Sequence, residues 1–441
     1  MKRLLAATVL LAAGLLSAAT VDKVSVRQRW PWSQKVDITY NLTTDKPQQI
    51  DVAVFQGDAC VPMPDAAFSG DRHNVASGAR HIVFDPSLTP YTNRVMTALR
   101  FEVTAREMPL YVVFDLSKPK TDPGQVTWIT AYDLTNSASA YGAWERGSAF
   151  HTGGEIDSRW KDTVVWTGVT NGTAYKTSKL VMRYVPPGTF SMGAAGGIPS
   201  SWNYDWWRLG QRQHNVTLTK GFYAAVFPTT TGQNSYITNL VSMTPSTVTS
   251  PRRWDNYNRL RGADLGAGWP ASAAVDPDSI VGVLRAKTGY ETFDLPTEAQ
   301  WEYACRAGAT GWFYDGSSTI AEDGSTSETL DLLAWYKNND PNNYYMVPGQ
   351  KQPNGWGFYD MLGNVNELCL DWVGGSGSNY PSGDATDPQG LASGSSRAIR
   401  GGTVWAQAKF CHCPFRASMA PDVNDGSNSP TLGYRFFLTI P

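Results

Sequence analysis

The chain carries 41 glycines and 27 prolines in 441 residues. Glycine loses more backbone entropy on ordering than any other residue, and proline removes an N–H donor and clashes inside a helix. Punctuation of this density excludes a helical bundle and leaves a loop-rich fold. Irregular segments need large side chains to pin them, and the sequence supplies 17 Trp, 20 Tyr and 16 Phe. Charged residues are 17% of the chain, below the ~25% of an ordinary domain. The formal net charge is −2 and no basic block occurs, which excludes nucleic acid as a natural partner.

Lys2 and Arg3 precede an apolar run from Leu4 to Leu16, followed by the small residues Ser17, Ala18 and Ala19. This pattern predicts a secretory signal over residues 1–19, cleaved near Ala19. A membrane anchor would need about 20 apolar residues and a stop-transfer flank. No later segment is apolar enough to span a membrane, so the expectation is an exported protein at the cell surface, in the periplasm or outside the cell. Some 420 residues would remain, enough for about two or three domains.

Four stretches between residues 20 and 106, "KVDITYNLTT", "QIDVAVFQG", "ARHIVFD" and "ALRFEVTA", alternate apolar and polar side chains and are bounded by turn formers. Period-two runs at this spacing predict a small antiparallel β-sandwich. Asp71, Arg72 and His73 read as a solvated loop. Residues 107–178 form a connector in which "LYVVFDLS" and "TWITAYDL" look like strands. Two helices are marked beyond residue 179. In "VDPDSIVGVLRAKTG", Asp276 is positioned to cap, Pro277 suits the first turn and Gly289 the end. In "TEAQWEYACRAG", Thr297 and Gln300 form a capping-box pair and Gly308 suits the left-handed stop. The overall expectation is α+β.

Five cysteines stand at 60, 305, 369, 411 and 413. An odd number leaves at least one thiol unpaired in a monomer, and Cys60 is remote from the rest. Cys411, His412 and Cys413 are consecutive. If the stretch is a strand, both sulfurs point to one face and the imidazole to the other. Such a triplet is compatible with a metal site, a redox centre or half of a disulfide. A tetrahedral zinc site needs three or four ligands, and the other histidines show no ligand spacing.

Six phrases then occur in a fixed order: "VPPGTFSMG", "HNVTLTKGFYAAVFPTTTGQ", "DLPTEAQWEYACRAGA", "NGWGFYDMLGNVNELCLDW", "RAIRGGT" and "LGYRFFL". Together they make residues 179–441 resemble the formylglycine-generating enzyme, or sulfatase-modifying factor, family. The resemblance implies a compact, loop-rich α+β domain related to C-type lectins. Active members of that family oxidise a substrate cysteine with copper and oxygen, using two cysteines four residues apart to hold Cu(I), an ion that favours soft sulfur ligands. Counted from "RGG", the first of these positions is Ala406 and the second is Cys411. The family serine after "RGG" is Thr403, and two tryptophans of the usual "NVWEW" are Asn366 and Leu368. Cys411 and Thr403 are thus the remaining catalytic candidates, with the copper pair broken.

The resemblance also implies a disulfide joining Cys305 or Cys369 to Cys411 or Cys413. It places oxygen donors for calcium in "DMLGNVNE": Asp360 and Glu367 by side chain, Gly363 and Val365 by backbone carbonyl, matching the hard-donor preference of that ion. A related iron-dependent branch requires a His-x3-His-x-Glu helix, which is absent. The expected function is a ligand- or partner-binding module for an unknown protein or carbohydrate, with Trp202, Trp206 and Trp207 as exposed aromatics. The alternatives are a copper-dependent formylglycine-generating oxidase, or a surface structural or assembly protein.

Overall fold

A computed structural model describes residues 19–440 apart from 93, 95, 137–139, 152, 154–161, 195–211, 241–246, 263–268, 270–272, 341–343, 374–382 and 424–430. The expected signal segment lies outside the described residues except for Ala19. No described helix is long and apolar enough to cross a membrane. The chain divides into two compact units: residues 1–130 with 287–290 and 440–441, and residues 131–286 with 291–439.

In the first unit all four quoted stretches are strands. Thr20–Gln28, Val36–Thr43, Gly78–Phe84 and Phe68–Gly70 form one antiparallel sheet in that order, and Ala59–Val61, Gln49–Gln56 and Leu99–Arg106 form another. Alternation along Val36–Thr43 sends Val36, Ile38, Tyr40 and Leu42 inward. They share one core with Ile82 and Phe84 of the same sheet and with Ile50, Val54, Phe101 and Val103 of the other. That shared core makes the pair a sandwich. Tyr111–Asp115 and Val126–Ile129 pair as an antiparallel hairpin in the same unit.

The expected solvated loop at Asp71–His73 is corrected. Arg72 is buried and donates to Asp65 Oδ1 at 2.8 Å. His73 Nδ1 lies 2.7 Å from Gln49 Oε1. Burial and the neighbouring Arg72 charge push this imidazole down to about 3, so it stays neutral. A charged triplet reads as surface in sequence; here a carboxylate from the preceding turn, Asp65, neutralises the arginine.

The second unit combines short strands with helices. Phe293–Asp294, Phe437–Thr439, Phe222–Ala225 and Lys179–Val185 are neighbours in one antiparallel array. Arg416–Met419, Ser396–Arg400, Asn366–Val373 and Leu432–Gly433 make a second sheet. The helix Glu298–Arg306 lies against this sheet, with all nine residues buried. Its start follows the sequence reading: Thr297 Oγ1 accepts from Gln300 N–H, and Gln300 Oε1 accepts from Thr297 N–H. Its end does not, because Ala307 takes the left-handed conformation one residue before Gly308. The earlier helix spans Ile280–Thr288. Ser279 Oγ, not Asp276, accepts the Gly282 N–H at its start, while Gly289 at φ +81° ends it as expected.

Candidate functional site

The "RGG" turn, the cysteine stretch and the "DMLGNVNE" loop converge beneath the helix Glu298–Arg306. Residues 408–410 form a 3-10 turn, and 411–414 are bends and turns rather than a strand. The expectation that Cys411 and Cys413 share a face is therefore overturned. Gly402 has φ +78°, and a Cβ there would lie 2.6 Å from Cys411 Sγ. Only glycine admits both this backbone conformation and the close approach of the sulfur.

Cys411 is fully buried, and its thiol donates to the Thr403 carbonyl at 3.8 Å. The same carbonyl accepts the Ala406 N–H at 3.0 Å. Positions 406 and 411 therefore meet at one oxygen, although only one of them bears sulfur. Burial pushes the Cys411 thiol up to about 12, the wrong direction for a thiolate ligand or nucleophile. The Thr403 hydroxyl is engaged in its own turn, accepting from Trp405 N–H at 3.1 Å.

Cys413 faces the opposite way. Its sulfur stands 3.4 Å from Cys305 Sγ, in the last turn of the capped helix. Cys369 approaches the Glu367 carbonyl instead, and Cys60 is exposed in the first unit. His412 is buried between Trp312 and Phe415, with ring centroids at 5.7 and 5.9 Å. Burial and the charges of Arg306 and Arg400 push it down to about 3. The triplet thus sends three side chains to three different environments, and among the described residues no group of three or more His, Cys, Asp or Glu is arranged to hold a metal.

Buried charge surrounds the sulfurs. Glu302 accepts from Arg306 and from Gly193 N–H, each at 2.8 Å, and pairs with Arg400. Burial alone would raise its carboxyl, but the two guanidinium groups hold it below the usual range. Arg400 also meets Glu298 at 3.2 Å, and Glu298 meets Arg416 at 2.8 Å. Asp371 Oδ2 caps the helix by accepting the Glu298 N–H at 2.7 Å.

The four residues expected to bind calcium lie in one buried segment, Asp360, Gly363 and Val365 in the loop and Glu367 at the start of the strand Asn366–Val373, but the carboxylates are taken. Glu367 accepts from Arg435 Nη2 at 2.7 Å and from Trp301 Nε1 at 2.7 Å, with Arg435 Nε about 3 Å from both oxygens. Asp360 accepts from Gly349 N–H at 2.7 Å and from Asn364 Nδ2 at 3.0 Å. Gly363 donates to the Gly401 carbonyl, and a Cβ on it would lie 2.2 Å from the Trp335 oxygen. A divalent cation would have to sit against the Arg435 guanidinium, so the donor set does not fit calcium as expected.

Near Ala406 the surface is aromatic. Arg253 lies 3.8 Å over the Tyr345 ring and 5.5 Å from that of Trp254, and Tyr345 meets Trp405 at 5.6 Å between centroids. Trp405 is 42% exposed and Tyr344 is largely exposed. Adjacent pairs in sequence, Arg253-Trp254 and Tyr344-Tyr345, were the available signal, but nothing local joins them to Trp405. Trp202, Trp206 and Trp207, singled out from sequence, lie outside the described residues.

The same segment is covered by a family model. Residues 169–439 match the sulfatase-modifying factor enzyme 1-like domain. The chain belongs to the sulfatase-modifying factor family. A formylglycine-generating enzyme from Streptomyces coelicolor is 32% identical over 147 residues, covering 32% of this chain and 45% of the relative. A serine/threonine-protein kinase, pkn1, from Chlamydia pneumoniae is 31% identical over 144 residues, covering 32% of this chain and 20% of the relative. The matches therefore span less than half the length of these relatives. Among solved structures, Treponema denticola variable protein 1 aligns with 59% of this chain and 96% of its own at 20% identity and a TM-score of 0.44. Position 406, where the resemblance places the first of the family's two cysteines, is alanine.

Proposed function

We propose that this protein is a ligand- or partner-binding member of the sulfatase-modifying factor family without oxidase activity. The observation that carries this is the single sulfur at the Thr403 carbonyl: Ala406 and Cys411 meet there, and Cys413 is turned away to Cys305. One buried, protonated thiol gives neither two-sulfur coordination of Cu(I) nor a two-thiol redox couple. Copper is accordingly no part of the proposed function, and the misfit at Glu367 argues against calcium.

Binding is supported by the Arg253, Tyr345 and Trp405 cluster. The exposed Trp405 ring, tilted against Tyr345, offers contact area at little entropic cost and suits sugars or peptide side chains alike. The leader-like N-terminus supports an exported setting.

Two assays test this. A sulfatase-type cysteine peptide is incubated with the protein, with and without copper under oxygen, and no formylglycine is expected. Retention on glycan and peptide arrays is compared between the wild type and Trp405→Ala, with the variant expected to lose signal. Copper-dependent conversion would overturn the reading, as would wild-type binding to neither array.

A further inference from the structure

The first unit carries an aromatic feature remote from the cysteine stretch in sequence. The turn between the strands Thr20–Gln28 and Val36–Thr43 reads Arg29-Trp30-Pro31-Trp32-Ser33-Gln34-Lys35. Trp30 is 72% exposed and Trp32 is 93% exposed. Exposed tryptophan at this level forgoes a large burial gain, since each ring offers about 150–250 Å² of contact. Two on one turn make a protruding apolar tip rather than scattered surface residues.

The turn holds its shape by itself. Arg29 N–H donates to the Lys35 carbonyl at 2.9 Å, and Trp32 and Ser33 N–H both donate to the Arg29 carbonyl. Pro31 has no N–H to satisfy. The tip's backbone therefore brings few open donors into an apolar medium, where each unsatisfied one is costly.

The polar groups at its base are also committed. Arg29 grips Asp37 at 2.7 Å, Lys35 meets Asp85 at 3.0 Å, and Ser33 Oγ accepts from Lys35 N–H. Arg29, Ser33 and Lys35 are thereby drawn away from the hydroxyl groups of a sugar stacked on the rings. The same inventory leaves an excess of positive charge: Arg27, Arg29 and Lys35 against Asp37 and Asp85. Apolar rings at the tip with a cationic base match the layering of a membrane interface, where tryptophan sits at headgroup level and cations face anionic phosphates.

We propose that the Arg29–Lys35 turn docks on anionic phospholipid bilayers, inserting Trp30 and Trp32 among the headgroups with Arg27 on the phosphates. The experiment is vesicle flotation of the full chain with phosphatidylcholine containing phosphatidylglycerol, and with phosphatidylcholine alone. The wild type should float with the anionic vesicles. Trp30→Ser combined with Trp32→Ser should weaken partitioning by about tenfold or more. Arg27→Gln should give a smaller loss, confined to the anionic vesicles. All proteins share one N-terminus, so any contribution of the apolar run Leu4–Leu16 cancels in the comparison. Equal melting temperatures would show that the variants are folded. Failure of the wild type to float, or equal flotation of the double variant, would overturn the proposal. Tryptophan-dependent capture by a glycan or a protein without vesicle binding would overturn it as well.

Discussion

Cys305 and Cys413 present their sulfurs 3.4 Å apart inside the core of the second unit, 108 positions apart in sequence. Cys411, two residues away, points elsewhere. Of the four pairings open at the level of sequence, this geometry favours one. In an oxidising compartment we expect a Cys305–Cys413 bridge, with Cys369 and Cys411 left as thiols. Peptide mapping of unreduced protein checks it. By the chain-entropy estimate, closing a loop of this length stabilises by about 4–5 kcal/mol, so Cys413→Ser should lower the melting temperature of oxidised protein but hardly change that of reduced protein. A mapped bridge to Cys369 or Cys411 would contradict this.

Thiol reactivity should divide sharply. Cys60 is exposed, whereas Cys411 is buried with its thiol pushed up to about 12. At pH 8, iodoacetamide should label Cys60 within minutes and Cys411 only after denaturation. Mass spectrometry of timed samples reads both rates. Rapid native labelling of Cys411 would revive it as a catalytic residue.

Restoring the second sulfur tests the frame directly. Ala406 and Cys411 both engage the Thr403 carbonyl. Ala406→Cys should therefore raise Cu(I) affinity by at least about a hundredfold over the wild type in a competition titration, since a second soft ligand converts an isolated thiol into a chelate. An unchanged affinity would mean that the turn does not bring the two positions together.

Arg435 and Glu367 form a buried, multiply hydrogen-bonded pair. Removing one partner leaves an uncompensated charge, so Arg435→Ala should cost about 3–5 kcal/mol in urea denaturation. Because Arg435 occupies the carboxylate expected to hold calcium, a chelator should leave the wild-type melting temperature unchanged.

Asp371 gives a pH signature. Burial, reinforced by the nearby Glu298 charge, pushes its carboxyl up to about 7, well above the ordinary aspartate value of about 4. The native state then binds more protons than the unfolded state between these limits. Its stabilising contribution is complete below about pH 4 and is lost as pH rises through about 7. Asp371→Asn should flatten the stability profile across that window while preserving acceptance of the Glu298 N–H. Parallel profiles for the two proteins would refute the assignment.

Local signals were legible wherever a residue acts on its near neighbours. The sandwich strands follow from alternation, the Thr297–Gln300 box from a three-residue spacing, and the family from six ordered phrases, because each depends on contacts a few residues away. The absence of a second sulfur at position 406 was equally plain. Tertiary structure alone decided the partners. The run from Lys409 to Pro414 reads as strand from composition, but the close approach of Gly402 and the 3-10 turn at Ala408–Phe410 rotate Cys413 towards the helix and Cys411 towards Thr403. Arg72 looks solvated until Asp65 meets it, and Glu367 looks like a calcium ligand until Arg435, 68 residues on, takes its oxygens. The physical reason is the same in each case: a buried charge or thiol is governed by whichever complementary group the fold brings within about 3–4 Å, and sequence separation says nothing about that distance.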